Sequence, residues 1–441
     1  MQIPMAVQKT AGLAVWIALS PVALQAQDPA GLEAGATLSF GILGENNDWK
    51  AYTGLGFSLS SSTRTQSLGF SASAGFEYPD ANDELNLVDP NVLLTYNRIG
   101  RNALFQASAR YRRSDLGGFV IDEDSTVGEL VANTGTKNEL RLATALEFGT
   151  QSLFGGKVDL DWRQVTYSGT ATLADYETSR AGITLRFSID PRIDLRTTLD
   201  FQETQADATG TDRTNQAFGF GADFKVTQTL QTSLDLRYSE FETRPFGSAV
   251  QKDKGPSFRF SAVQDLKNGE LNFDLSSRVT SNGTRSDASV GRSLKTAQGD
   301  EILLSAGVSH GGNGDVDGIF ALEYSRGTRD AEFSLALSRS VEADLFGQET
   351  LKSQFRIGQN YTINETSSIS GALAFRETEF LNSTTPNTRK LELSFGYAQE
   401  LVRDLDLVAE VSQTRSWSGT TGPTLENKLY MGIERSFSWR P

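Results

Sequence analysis

Cysteine is absent from the 441 residues and histidine occurs once. Without cysteine there is no disulfide framework, no thiolate-held zinc or iron–sulfur cluster, no thiol nucleophile and no lipid-modified cysteine. A single histidine leaves no histidine-rich metal site, and no metal or cofactor is expected. Long apolar runs are missing too. Downstream of the N-terminus there is no stretch of about 18 consecutive apolar residues, so no segment reads as a membrane-spanning helix. Positive charge is in deficit, with 41 Lys+Arg against 55 Asp+Glu and a net charge of -14. No basic tail or patch points to nucleic acid. The helical stretches rich in Ala, Glu, Leu and Lys that mark an ordinary soluble enzyme of this length are scarce as well.

The first segment reads as a targeting device. Lys9 precedes a short apolar run from Ala11 to Leu19, Pro21 breaks it, and Leu24-Gln25-Ala26 offers a small-residue cleavage site. The run is too short to span a bilayer as a helix, so residues 1–26 are expected to be a secretory signal peptide. A short periplasmic segment, 27–35, and one long β-domain, 36–441, would follow.

Alternation with period two fills the rest of the chain. In Leu391-Glu392-Leu393-Ser394-Phe395-Gly396-Tyr397-Ala398 the large apolar side chains stand on odd positions and the small or charged ones on even positions. A strand throws successive side chains to opposite faces, so one face is greasy and the other wet. The grammar recurs at 193–201, 181–189, 234–238 and 271–275. These stretches run for roughly nine to fourteen residues, longer than the usual five or six of a globular strand. A strand tilted by about 45° crosses a bilayer in about nine to eleven residues, and strands survive in lipid only as a closed barrel without edges.

The connections alternate between tight turns, as at Ile99-Gly100, Asp190-Pro191 and Asn364-Glu365, and longer polar loops, as at 79–90, 115–136 and 342–349. Their number separates about 22 strands, within a range of roughly 18 to 24, and both chain ends fall on the short-turn side, the periplasm in bacterial barrels. The expected fold class is therefore all-β, a closed antiparallel transmembrane β-barrel. Only about ten residues separate the cleavage site from the first strand, which predicts no plug domain and argues against an energised siderophore-type transporter.

The last strand ends in aromatics: Leu429, Met431, Ile433, Phe437 and Trp439 alternate with Tyr430, Gly432, Glu434, Ser436 and Ser438, before Arg440-Pro441. This ending resembles the C-terminal signal read by the outer-membrane barrel-assembly machinery, although a terminal Phe is the commoner finish. With hairpins such as 59–68, residues 34 to 441 resemble the β-barrel porins of Gram-negative outer membranes, including barrels associated with exopolysaccharide export. The resemblance implies localisation in the cell outer membrane among its lipid and lipopolysaccharide. It also implies assembly through the C-terminal strand and a porin-like channel for polar solutes. The alternatives are an export barrel for extracellular polysaccharide and a surface or scaffolding barrel that binds a partner through its loops. No enzymatic activity is expected.

Energetics assigns the faces. A charged side chain against lipid at the midplane costs roughly 2 to 4 kcal/mol, so charged strand positions should line the lumen. These are Arg110, Arg112, Glu147, Asp159, Asp161, Arg163, Arg186, Asp194, Arg196, Asp200, Asp223, Lys225, Asp235, Arg237, Asp274, Arg278, Arg356, Arg376, Glu392 and Asp406, with Lys428 and Glu434 near the C-terminus. Such charges also pair across neighbouring strands and stiffen the wall. The longest loop carries Asp115, Asp122, Glu123, Asp124 and Glu129 directly after Arg110, Arg112 and Arg113. An acidic loop folded toward a basic wall would set a transverse field, which makes it the candidate constriction loop. Trp49, Trp162, Trp417 and Trp439 sit near predicted strand ends, where an amphipathic ring lies at headgroup level. Weaker motifs carry little. Gly311 to Asp317 resembles a single calcium-binding turn with misplaced aspartates. Ser309 and His310 are neighbours on a strand and point to opposite faces, which suits no proton transfer.

Overall fold

The computed structural model describes residues 31–439, apart from 47, 79–85, 116–134, 170–173, 208–210, 246, 248, 281–282, 313, 344–348, 382–386 and 419–421. The loop residues Asp122, Glu123, Asp124 and Glu129 and the segment 1–26 lie outside the described residues, and Asp115 is described only as the last residue of its strand.

The first strands are β1 (Gly31–Glu45), β2 (Asp48–Ser62), β3 (Gln66–Tyr78), β4 (Asn86–Ile99), β5 (Ala103–Asp115), β6 (Thr136–Phe148) and β7 (Phe154–Ser168). There follow β8 (Tyr176–Asp190), β9 (Ile193–Ala206), β10 (Thr211–Lys225), β11 (Leu230–Pro245), β12 (Gln251–Leu266), β13 (Gly269–Thr280), β14 (Gly283–Lys295) and β15 (Glu301–His310). The last are β16 (Val316–Gly327), β17 (Ala331–Ala343), β18 (Glu349–Asn364), β19 (Ser367–Phe380), β20 (Thr388–Val402), β21 (Leu405–Ser418) and β22 (Thr424–Trp439). β1 opens at Gly31, inside the stretch read as a periplasmic segment.

All 22 strands belong to one sheet, each pairing antiparallel with its neighbours in sequence. The ends meet: β1 pairs with β22 from Ala34↔Trp439 to Glu45↔Lys428, so the sheet is closed. Closure removes the unpaired edges that hydrocarbon cannot hydrate. The turns after β2, β4, β8, β12 and the other even-numbered strands are short. They are fastened locally, as where the Thr63 hydroxyl accepts from the Gln66 amide and the Asp190 carboxylate from the Arg192 amide. Gly269, at φ 136°, supplies the left-handed residue in one of them.

The burial pattern inverts that of a soluble domain. Among the described residues only Val165, Tyr176, Val279, Val341, Leu351 and Phe380 are buried large apolar side chains, whereas Phe40, Phe57, Phe220, Leu236, Phe395, Met431 and many others are exposed. The exposed ones share a face: Ala36 pairs Phe437, Phe40 pairs Ile433 and Ile42 pairs Met431 across the closing seam. A contiguous apolar outer surface of this extent is what lipid covers. Trp49 and Trp439 stand on it at opposite ends of their strands, and the Phe437 and Trp439 rings stack at 6.2 Å with Arg435 over Phe437.

Glycine is required where the seam closes most tightly. Gly41 and Gly432 face each other across β1 and β22, and a Cβ on Gly41 would lie 2.5 Å from the Met431 carbonyl and 2.7 Å from the Tyr430 ring. Backbone cannot yield as a flexible side chain can. Gly41→Val is expected to destabilise the barrel by about 1–3 kcal/mol or more through overpacking. The check is migration in detergent without boiling, where the variant should lose the fast-running folded form at a lower temperature than the wild type.

Candidate functional site

The wet face is the interior. Traced ladder by ladder, Arg110 and Arg112 stand opposite Arg141 and Glu139, Glu147 opposite Lys157, Arg163 opposite Arg141, and Asp159 and Asp161 opposite Ala145 and Ala143. Arg186 stands opposite Arg196, Asp200 opposite Gly182, and Asp194 opposite Asp223; Lys225, Asp235 and Arg237 continue the row on β10 and β11. Asp274 and Arg278 on β13, Arg356 on β18, Arg376 on β19, Glu392 on β20 and Asp406 on β21 keep the same parity. Contacts that skip strands show that this face is concave: Arg196 on β9 reaches Asp235 on β11 at 3.1 Å, and Arg237 on β11 returns to Asp200 on β9 at 3.3 Å.

Several of these residues come together. Arg196 also meets Asp223 at 3.2 Å, Arg163 meets Glu139 at 2.9 Å, Asp161 takes Arg141 at 2.8 Å, and Arg278 meets Asp287 at 3.1 Å. Asp194 accepts from the Ser188 hydroxyl. The Lys428 ammonium lies 2.8 Å from Glu426 and 3.4 Å from Glu45 across the seam. Arg110, Arg112, Glu147, Lys225 and Asp406 make no ion pair among the described residues. Partly solvated pairs of this kind contribute up to about 1 kcal/mol each, so they order the wall more than they stabilise it.

Most of the buried interior side chains gather at the long-loop end. Lys137, Glu139, Val165, Tyr176, Thr178, Thr204, Arg285, Ser309, Glu349, Thr350, Leu351, Lys352, Thr378, Phe380 and Lys390 are buried, all in the halves of their strands nearest the long connections. Below them two recesses open in the wall. One of about 770 Å³ lies along β8–β14, and one of about 550 Å³ along β4–β8; Arg180 lines both.

One part of this packing is a hairpin end laid across the lumen. β16 and β17 pair only from Gly327↔Glu332 to Phe320↔Arg339. Above that point β17 keeps only β18 as a partner, through Val341↔Leu351 and Ala343↔Glu349. The freed end bends inward, so its originally outward face rests on β13–β16. There Arg285 donates from Nε and Nη2 to the two Glu349 oxygens at 2.9 and 3.0 Å, and from Nη1 to the Ser309 hydroxyl at 2.9 Å and Asp317 at 3.3 Å. Arg278 donates to the Val341 carbonyl at 2.9 Å, and Lys352 binds Glu342 at 2.6 Å. The bidentate pair is fully enclosed, with Arg285 at 0% and Glu349 at 2% exposure.

Arg285, Glu349, Asp317, Ser309, Arg141, Arg180 and Arg259 were not among the site residues expected from the sequence. Alternation marks Arg141, Arg180, Arg259 and Arg285 for the inner face, but nothing local pairs Arg285 with Glu349. Asp317, the last residue of the calcium-like turn, is a partner of Arg285. Ser309 points inward with its hydroxyl shared between Arg285 and Asp287, whereas His310 falls on the opposite face beside Ser286.

No family model and no curated protein matches the chain. Solved structures do. The ferric-catecholate import receptor Fiu from E. coli K12 is similar with a TM-score of 0.57 at 9% identity, over 93% of this chain and 82% of that one. The FrpB iron transporter from Neisseria meningitidis is similar with a TM-score of 0.58 at 8% identity, over 93% and 83%. The copper transporter OprC has a TM-score of 0.55 at 11% identity, over 94% and 82%. The fold is thus that of large outer-membrane β-barrels, in keeping with the localisation expected from the sequence.

The expected fold class needs a correction. The all-β closed antiparallel barrel of 22 strands stands, but the exclusion of a plug domain, and of receptor-type transporters with it, does not. The barrel resembles import receptors and transporters, and 22 strands is the barrel size that holds a plugged lumen in such transporters. The number of residues ahead of the first strand was the wrong gauge, because it does not measure what fills a lumen.

Proposed function

We propose that this protein is an outer-membrane transport barrel that carries polar, charged solutes through its interior and has no catalytic role. The observation that carries the reading is the inner wall: polar and small residues interspersed with charges of both signs, with open recesses below a packed mouth. A wall of this chemistry is hydrated and offers ion pairs that a charged solute can exchange with, whereas an apolar solute would gain nothing from it. The likeness to an import receptor and to metal transporters supports transport over a purely structural barrel. The finer reading, a porin-like path for small polar solutes, rests on the recesses.

The test uses purified full-length protein in planar bilayers and in vesicles loaded with a charged dye of a few hundred daltons. Stepwise currents and dye release are expected, larger when the hairpin end is freed by Glu349→Ala. Folded protein, shown by its fast migration before boiling, that conducts in neither form and releases no dye would overturn the proposal.

A further inference from the structure

The larger recess is faced by guanidinium groups whose donors are mostly unused. Arg180, Arg237 and Arg259 line it, and its four carboxylates are each engaged by an arginine: Asp200 by Arg237, Asp235 by Arg196, Asp274 by Arg259 and Asp287 by Arg278. The Arg180 side chain makes no hydrogen bond or ion pair among the described residues, although it stands in register with Asp161, whose carboxylate is taken by Arg141. Arg237 and Arg259 each make a single contact, to Asp200 at 3.3 Å and Asp274 at 3.2 Å. Five N–H donors per guanidinium leave most of these groups open to solvent.

Charge is also layered. Arginine is long and aspartate short, so on a concave wall the cationic heads stand nearer the lumen axis than the carboxylates beneath them. The Arg259 side chain is 66% exposed against 32% for Asp274, and Arg237 41% against 31% for Asp200. A solute in the recess therefore meets the donors first, and the carboxylates hold those donors in place. Arg196 and Arg285, elsewhere in the lumen, differ: each is shared between two carboxylates and has little left to offer.

We propose that the β8–β14 recess binds an oxyanion-bearing solute, one with two or more phosphate or carboxylate groups, through Arg180, Arg237 and Arg259. Planar forks match both groups bidentately, which an ammonium cannot do. The proposal deepens the transport reading by naming its substrate class, yet the recess can be tested without transport.

Calorimetric titration of the folded full-length protein in neutral detergent is the experiment, with inorganic pyrophosphate in one arm and citrate in the other. Binding is expected in at least one arm, and the arm that binds more tightly distinguishes phosphate from carboxylate as the source. Arg180→Gln with Arg259→Gln should weaken it at least about tenfold, a loss of about 1.4 kcal/mol, and raised salt should weaken the wild type in the same direction. Arg435→Gln, on the outer face, should leave binding unchanged and controls for non-specific charge. Failure of both probes to bind, or equal binding by the double variant, overturns the proposal. Retained binding by a protein that never conducts overturns the transport reading instead and leaves the anion site standing.

Discussion

Replacing Glu349 by alanine is expected to swing the β17–β18 hairpin end off the wall, raise single-channel conductance and make the current fluctuate. The physical reason is the under-compensated cation. Removing one member of an enclosed pair costs up to about 3–5 kcal/mol, and here the bidentate partner is lost while Asp317, at 3.3 Å, alone is left to balance Arg285. The two apolar side chains that seat the hairpin end, Val341 and Leu351, contribute about 1.5–3 kcal/mol each. The two quantities are comparable, so the seating becomes marginal, and the cheapest way to hydrate Arg285 is to lift the end that covers it. The barrel itself is held by complete ladders below Phe320↔Arg339 and stays closed. Lys352, 6% exposed and tied to Glu342, should become open to trypsin in the same variant. The double change Arg285→Met with Glu349→Leu should keep both the low conductance and the protection, since apolar residues of similar volume replace such pairs at little cost. Wild-type conductance together with an uncut Lys352 in the Glu349→Ala protein would count against the latch.

The second large effect separates the two faces of one strand. Phe395 on β20 is 55% exposed, pairs Gly371 and Val411, and belongs to the apolar outer surface. Ser394, its neighbour, pairs Ala372 and Ser412, shares the inner parity of Glu392 and lies two residues from it. Phe395→Arg should lose about 2–4 kcal/mol for a charge against hydrocarbon. Ser394→Arg places the same guanidinium in water near a carboxylate and should change stability by no more than about 0.5 kcal/mol. Guanidinium unfolding midpoints in lipid vesicles give the comparison. Equal losses at the two positions would mean that lipid does not cover the odd-numbered face.

That the wall is legible in the sequence follows from locality. Leu391, Glu392 and Leu393 declare their faces by alternation alone, because lipid and water impose opposite demands on successive residues. The turns were legible for the same reason: a hairpin is closed by adjacent chain, so Asp190-Pro191 or Asn364-Glu365 marks it directly. The latch is different. Arg285 and Glu349 are 64 positions apart, and their meeting depends on a ladder that stops at Phe320↔Arg339, an event no residue pattern announces. Arg180 and Arg259 had the right parity, but their unused donors are visible only once the carboxylates around them are placed. The content of the lumen is not legible in this way, because it is a property of volume and chain excursion, whereas residue counting at the N-terminus measures neither.

The joint between β1 and β22 also governs how such a molecule comes into being. Every other ladder links strands adjacent in sequence, but this one brings Ala34 against Trp439. Hairpins can therefore zip one after another as the polypeptide emerges, while sealing waits for the final strand. A chain shortened by β22 would present two bare rows of amides and carbonyls, on β1 and β21, to a solvent unable to hydrate them. Biogenesis of this protein thus turns on the sixteen residues of β22, which decide whether the preceding strands aggregate through their bare edges or become a sealed vessel.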